Sequence, residues 1–337
     1  NEDITTVNAQ SSPQEVFAYM EKELKEAIPG LRKEAIPGHF SQGSAAALLV
    51  RMYLNAKVWT GVDRSADCMT VAQEIIDGKY GTFSIDTDYR GPFRSSVLGK
   101  KSPENLFEWP HARNTYELGW MYSAFHHYKS NSILDTDGWN GYNGIHLTPS
   151  RDLDGKIYNY SLGKPYEKYA DGDYRKRNYE VIDGDGNYEG FFLVGPQYEF
   201  DRKKGYGYDA SKPVTGSEEW SGKQLIFVDQ VGRFSEKPNG RWSEGSGVTT
   251  GEENSGVRLV KFGPLSHTKG LFMNNSCAEI RLAEVYYSLA ECKYKAGDKV
   301  GAAKLLDAVR KRNFPASIWA EQSYEANIAK LTDQEFI

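Results

Sequence analysis

Residues 116–142 interleave aromatic rings with carboxylates and amides. Tyr116, Trp120, Tyr122, Tyr128, Trp139 and Tyr142 alternate with Asp135, Asp137, Asn140 and Asn143. Sugar recognition asks for this mixture. The C–H face of a sugar ring lies on an aromatic ring, and its hydroxyls need carboxylate or amide partners in fixed directions. Within Asp137-Gly138-Trp139-Asn140-Gly141-Tyr142 the glycines free the backbone to turn and present the neighbouring rings outward. The candidate ligand-binding residues are therefore Trp120, Tyr122, Asp137, Trp139, Asn140 and Tyr142. Trp120 and Tyr122 also fit the role of satellite-core residues.

Other clusters carry weaker signals. Residues 158–208 hold ten tyrosines, which suit either a second aromatic surface or packing of sheets and loops with hydroxyls at the edge. Asp183-Gly184-Asp185-Gly186-Asn187 starts like a calcium loop. Tyr188 then stands where that loop needs Gly, and Val194 where it needs a bidentate Glu. A hairpin turn between residues 179–182 and 188–192 explains the run better. His126 and His127 are adjacent, so on a helix or strand they point apart and chelate poorly. No nucleophile elbow, zinc-protease or phosphate-loop pattern occurs, although spacing alone leaves a glycosidase carboxylate pair open. Cys68, Cys277 and Cys292 form no Cys-x-x-Cys pair and read as small buried apolar residues. No metal or cofactor is implied. Arg281 and Glu284, three apart on a predicted helix, are placed to pair.

The elements that must position these groups fall into three stretches. The first, 1–80, is helical. Ser12-Pro13-Gln14-Glu15 is a capping box with Pro at the first helical position, and Val16, Phe17, Met20, Leu24 and Ala27 follow on one face. A second helix is predicted over about 41–59 and a third over about 66–77, with Gly78 as its cap. The second stretch, 81–271, is rich in Gly, Asn, Asp, Tyr and Trp, with short strand-like runs at 105–109, 190–194, 225–228 and 257–262. It is too long for a passive connection. The third, 272–337, returns to helical periodicity at about Cys277, with Ile280, Ala283, Tyr286, Tyr287 and Ala290 on one stripe. Gly297-Asp298 then leads to a paired helix, in the manner of tetratricopeptide-like repeats without their regular period. The predicted fold is mainly α: tetratricopeptide-like helices with a long irregular insertion containing short strands.

Composition narrows the function. The chain has 337 residues, 13% aromatic, with a formal net charge of -5. That charge lacks the basic excess of a duplex nucleic-acid binder, and no apolar run reaches the roughly 18 residues needed to span a membrane. Asn1 opens the chain without a signal peptide, and residues 336–337 fall in a helical pattern, so both ends read as cut.

Several segments, in order, resemble the SusD/RagB family. Gly43-Ser44-Ala45-Ala46 opens a helix that reaches Arg51-Met52-Tyr53-Leu54. Residues 72–80 are similar to the family's step ending in Gly78-Lys79-Tyr80. Ser102-Pro103-Glu104-Asn105-Leu106-Phe107 resembles the strand that follows. Asp171-Gly172-Asp173-Tyr174-Arg175 is similar to a loosened Asp-x-Arg element, and residues 255–262 to the strand leading back to the helices. Ile280-Arg281-Leu282-Ala283-Glu284, continuing to Ala290-Glu291, is the most specific match. Residues 305–312 resemble the final run, with Asp307 where the family has Asn. The family's lipoprotein cysteine and its later Glu-Arg-Arg helix are not in this sequence.

The resemblance implies a non-enzymatic surface lipoprotein of the outer membrane. Such a protein captures oligosaccharides and delivers them to a SusC-like TonB-dependent transporter, anchored by a lipid outside this chain. It also implies that the helical side, around 51–53 and 304–312, faces the transporter. Peptide capture by the same architecture is the alternative. A carbohydrate-active enzyme and a plain interaction scaffold stand further off.

Overall fold

The computed structural model describes residues 10–94, 99, 101–110, 126–134, 140–142, 145–147, 156, 165–182, 188–201, 207–218, 220–230, 252–261 and 276–333. Three helices open it: α1 (Pro13–Ala27), α2 (Gln42–Thr60) and α3 (Ser65–Ile76). The capping box forms as the sequence requires, with Ser12 Oγ accepting from Glu15 N and Glu15 accepting from Ser12 N at 2.8 Å. Ser41 and Ser44 build a second such box on α2. Gly61 and Gly78 take left-handed conformations just past α2 and α3, where a side chain would be strained.

Two further helices, α5 (Leu282–Lys295) and α6 (Lys299–Arg310), form the pair after the insertion; α4 (Ser130–Leu134) lies within it. α5 lies against both α3 and α6. Small residues let these helices approach: Ala45, Ala46, Ala56, Ala72, Ala302 and Ala303 are all almost fully buried. Cys68 on α3 and Cys292 on α5 come within hydrogen-bonding reach of each other inside this core. That contact, and then burial, push the Cys68 thiol up. Two short helices, α7 (Trp319–Gln322) and α8 (Tyr324–Asn327), close the described chain. Asp307 fastens them: it is buried and accepts from Ser323 Oγ at 2.5 Å, Tyr324 N at 2.9 Å and Glu325 N at 3.0 Å.

The insertion leaves and returns through one clasp. Strand β1 (Asn105–Trp109) pairs antiparallel with β10 (Cys277–Arg281), Asn105 opposite Arg281 and Trp109 opposite Cys277. Leu106, Phe107 and Ile280 bury into the helical core. Between them lie small antiparallel pairs: β2 (Glu180–Val181) with β3 (Tyr188–Glu189), β4 (Phe192–Leu193) with β9 (Arg258–Leu259), β5 (Gly195–Pro196) with β8 (Ile226–Phe227), and β6 (Tyr198–Asp201) with β7 (Gly207–Pro213). These surround a second core built on Tyr179, Tyr188, Phe192, Leu225, Phe227 and Val257. The hairpin expected in place of a calcium loop is the β2–β3 pair; its turn lies outside the described residues.

Three expectations need correction. Residues 277–281 are strand, not helix, because alternation lets Ile280 face the core while the backbone pairs with β1. Arg281 and Glu284 do not pair: Arg281 reaches Glu104, and Glu284 takes Arg51. On α1 only Phe17 is buried, while Val16 and Met20 stay exposed. The faces read as meeting a transporter are also partly consumed. Tyr53 is buried, Arg51 is held by Glu279 and Glu284, and Arg312 points inward to Glu104.

Candidate ligand-binding site

Of the candidate residues, Asn140 and Tyr142 lie on a segment beside α4. His126 and His127 are both buried, and burial holds their rings neutral, His126 at about 4 and His127 at about 3. The His127 ring accepts at Nδ1 from Lys129 N (3.0 Å), which leaves Nε2 to donate to Glu253 O (2.9 Å). The pair is thus structural. Tyr128 stacks on His127 at 4.4 Å, and its hydroxyl accepts from Ser217 N at 3.1 Å.

That contact leads to a second fastened loop. The Glu253 carboxylate is buried and accepts three backbone N–H groups: Ser217 (3.1 Å), Glu218 (3.2 Å) and Trp220 (2.7 Å). Trp220 Nε1 donates to Glu252 at 2.9 Å. A carboxylate gripped by convergent amides keeps a loop in one shape. Trp220 is held half-buried with Lys223 over its ring at 5.8 Å. Nothing in residues 216–222 marked this tryptophan in advance except the turn residue Gly222, whose φ is 72°.

Segment 140–142 is fixed in turn by α4. Gly141 N donates to Ser130 Oγ at 2.9 Å, and Asn140 Oδ1 accepts from Asn131 N at 3.1 Å. A Cβ on Gly141 would lie 2.1 Å from His126 O, so this glycine serves close approach. The neighbour it positions, Tyr142, projects with 68% of its surface exposed. The structure thus brings Asn140 and Tyr142 together on one tethered segment. Trp120, Tyr122, Asp137 and Trp139 lie outside the described residues, as does Tyr116.

The tyrosines of 158–208 divide. Tyr179 and Tyr188 are core residues, Tyr166 and Tyr169 pack edge-on to Phe192, and Tyr208 donates to Tyr179 O at 3.0 Å. Tyr158, Tyr160 and Tyr206 lie outside the described residues. Among the described residues, no group of three or more His, Cys, Asp or Glu is placed to hold a metal ion, and no helix is long and apolar enough to cross a membrane.

The strand clasp, the helix pair behind it and the insertion between them carry the sequence signature of one family, whose model, the SusD family, matches residues 103–336. The chain belongs to the SusD family. Solved structures agree in fold. A crystal structure with xylogluco-oligosaccharide matches at 14% identity, covering 100% of this chain and 58% of that one, with a TM-score of 0.54. A SusD superfamily protein from Bacteroides thetaiotaomicron matches at 16% identity over 99% of this chain and 56% of that one, TM-score 0.52. Surface glycan-binding protein A from Bacteroides uniformis matches at 15% identity over 92% and 52%, TM-score 0.50. Such low identities show the fold alone, the SusD-like helical scaffold with its irregular insertion. The chain spans a little over half the length of these structures. A search of the curated proteins finds no match.

Proposed function

We propose that this SusD-family chain is the ligand-holding part of a non-enzymatic, surface-anchored lipoprotein that captures oligosaccharides and passes them to a SusC-like TonB-dependent transporter. The helical stretches 1–80 and 272–337 act as scaffold, and 81–271 holds the ligand. The observation that carries the reading is Tyr142: a large exposed ring on a segment tied at both Asn140 and Gly141 to α4, beside an amide whose Nδ2 has no partner among the described residues. A pre-placed aromatic face with a polar neighbour suits a sugar ring. Trp120, Tyr122, Asp137 and Trp139 extend that surface in the proposal. Support also comes from family relatives described with xylogluco-oligosaccharide and as a surface glycan-binding protein.

Isothermal titration against a panel of neutral oligosaccharides tests the reading. Binding is expected for at least one of them, weakened about tenfold or more by Tyr142→Ala. Heat with peptides and with no glycan would replace this reading by peptide capture. Release of reducing ends on incubation would replace it by catalysis.

A further inference from the structure

A cavity of about 440 Å³ lies far along the chain from residues 140–142, in the groove between α5 and α6. Tyr287 and Tyr294 of α5, Arg310 of α6, Asn313 in the turn after it and Tyr324 of α8 line it, and Arg175 reaches in from the insertion. The volume is in the usual range for small-ligand pockets, about 300–1,000 Å³.

Four unspent polar groups belong to this lining. Asn313 is only 3% exposed, and its side-chain amide has no hydrogen-bond partner among the described residues. The Tyr287 hydroxyl likewise has none there. Arg175 spends Nε and Nη2 on Asp173 (3.0 and 2.6 Å), and Arg310 spends Nε and Nη2 on the backbone and side-chain oxygens of Gln322 (3.2 and 3.3 Å). Each guanidinium keeps Nη1 without a partner among the described residues. Both are immobilised by rings: Arg175 over Tyr169 at 4.8 Å, and Arg310 between Phe314 (4.8 Å) and Tyr324 (4.9 Å). Of these groups only Asn313 is buried; Tyr287 is 40% exposed and the Arg175 side chain 26%, so an amide, a phenol and two ring-held guanidinium edges open onto one cavity and offer their donors to a polar guest.

Charge selects the guest. Arg175 is offset by Asp173, and the lining residue Lys295 by Glu291 at 2.5 Å. Arg310 is bonded only to neutral oxygens, and no ion pair ties it to the buried Asp307 carboxylate three residues before it, which is taken up by Ser323 and the amides of Tyr324 and Glu325. A single negative charge fits, and a planar carboxylate matches guanidinium N–H donors. The tyrosine rings offer faces for the C–H surface of the same guest.

We propose that this cavity binds a carboxylate-bearing sugar unit, such as a hexuronate within an oligosaccharide, at a second site separate from the segment around Tyr142. The proposal rests on the reading of the chain as a glycan-capturing protein. Galacturonate and glucuronate oligomers and their carboxyl-reduced counterparts are titrated into the protein and its variants. The acid form of at least one is expected to bind about tenfold or more tightly than its reduced form. Asn313→Asp, which puts a negative charge where the guest carboxylate lies, removes most of that preference. Tyr287→Phe, which deletes one donor without changing shape, weakens it several-fold, and Tyr142→Ala leaves it in place. Equal affinity for acid and reduced forms, or acid binding untouched by both cavity variants, overturns the proposal. Failure of the general reading looks different: no neutral oligosaccharide binds, while the acid preference and its response to Asn313→Asp persist.

Discussion

Arg312 donates to the carboxylate of Glu104 across 208 residues of sequence, with Nη2 at 3.1 Å from Oε1 and Nη1 on Oε2. Glu104 has no exposed surface, and Arg281 Nη1 reaches the same Oε1 at 3.0 Å while Asp86 N donates to Oε2 at 3.1 Å. One carboxylate thus joins the loop before β1, the start of α5 and the turn after α6. Glu104→Gln leaves two guanidinium groups facing a neutral amide whose own position is closed to water. Removing one partner of a buried pair costs about 3–5 kcal/mol. Urea unfolding of Glu104→Gln should show a loss of that size; a loss below about 1 kcal/mol would mean the hub is not a structural tie.

Stability should fall as pH drops below about 6.5. His126 and His127 have folded values of about 4 and 3, below the 6.5 of an unfolded histidine. Their contribution is therefore complete above about pH 6.5 and is lost as pH falls toward 4, because the unfolded chain takes protons that the fold refuses. The slope is at most about 1.4 kcal/mol per pH unit per histidine. Glu21 adds a later loss. Its bond to Arg64 holds it at about 2, so its share is present above the ordinary 4.5 and disappears as pH falls through that range. Urea midpoints between about pH 7 and 4.5 should show the first loss, and His127→Gln should flatten it.

Gly141→Ala should act on binding more than on the fold. The added methyl collides with His126 O and forces segment 140–142 off α4. Oligosaccharide affinity should fall about tenfold or more, while the urea midpoint changes by no more than about 1–2 kcal/mol in stability. Unchanged affinity would show that the position of Tyr142 does not matter.

Asp307→Ala should free the end of the described chain. It removes one carboxylate that serves Ser323 and the first amides of α8. Loss of a helix cap costs about 1–2 kcal/mol. Hydrogen exchange at residues 319–327 should accelerate before exchange in α5 does.

Local signals made the helices legible. The capping box at Ser12, the glycine after α3, and the small-residue run from Ala45 each fix structure within a few positions, and the clasp strand Asn105–Trp109 follows from its own composition. What the sequence hid was long-range. Nothing local tells that Ile280 lies on a strand, since a five-residue run fits either period and the partner that decides it is β1, far upstream. The partners of Arg281 and Glu284 were misread for the same reason. At the candidate site, Gly141 was visible as a glycine, but its reason, the carbonyl of His126, needed the fold. Trp220 stayed hidden because the carboxylates that fasten its loop, Glu252 and Glu253, are more than thirty residues away.

The clasp of β1 and β10 has a further consequence. Trp109 and Cys277 face each other across the ladder, so everything between them starts and finishes at neighbouring points on the scaffold. A segment with adjoining ends can be exchanged for another of different length at little cost in loop closure. On the proposed function, the helical frame works as a socket, and a change of ligand needs only a change of cassette while the socket stays as it is.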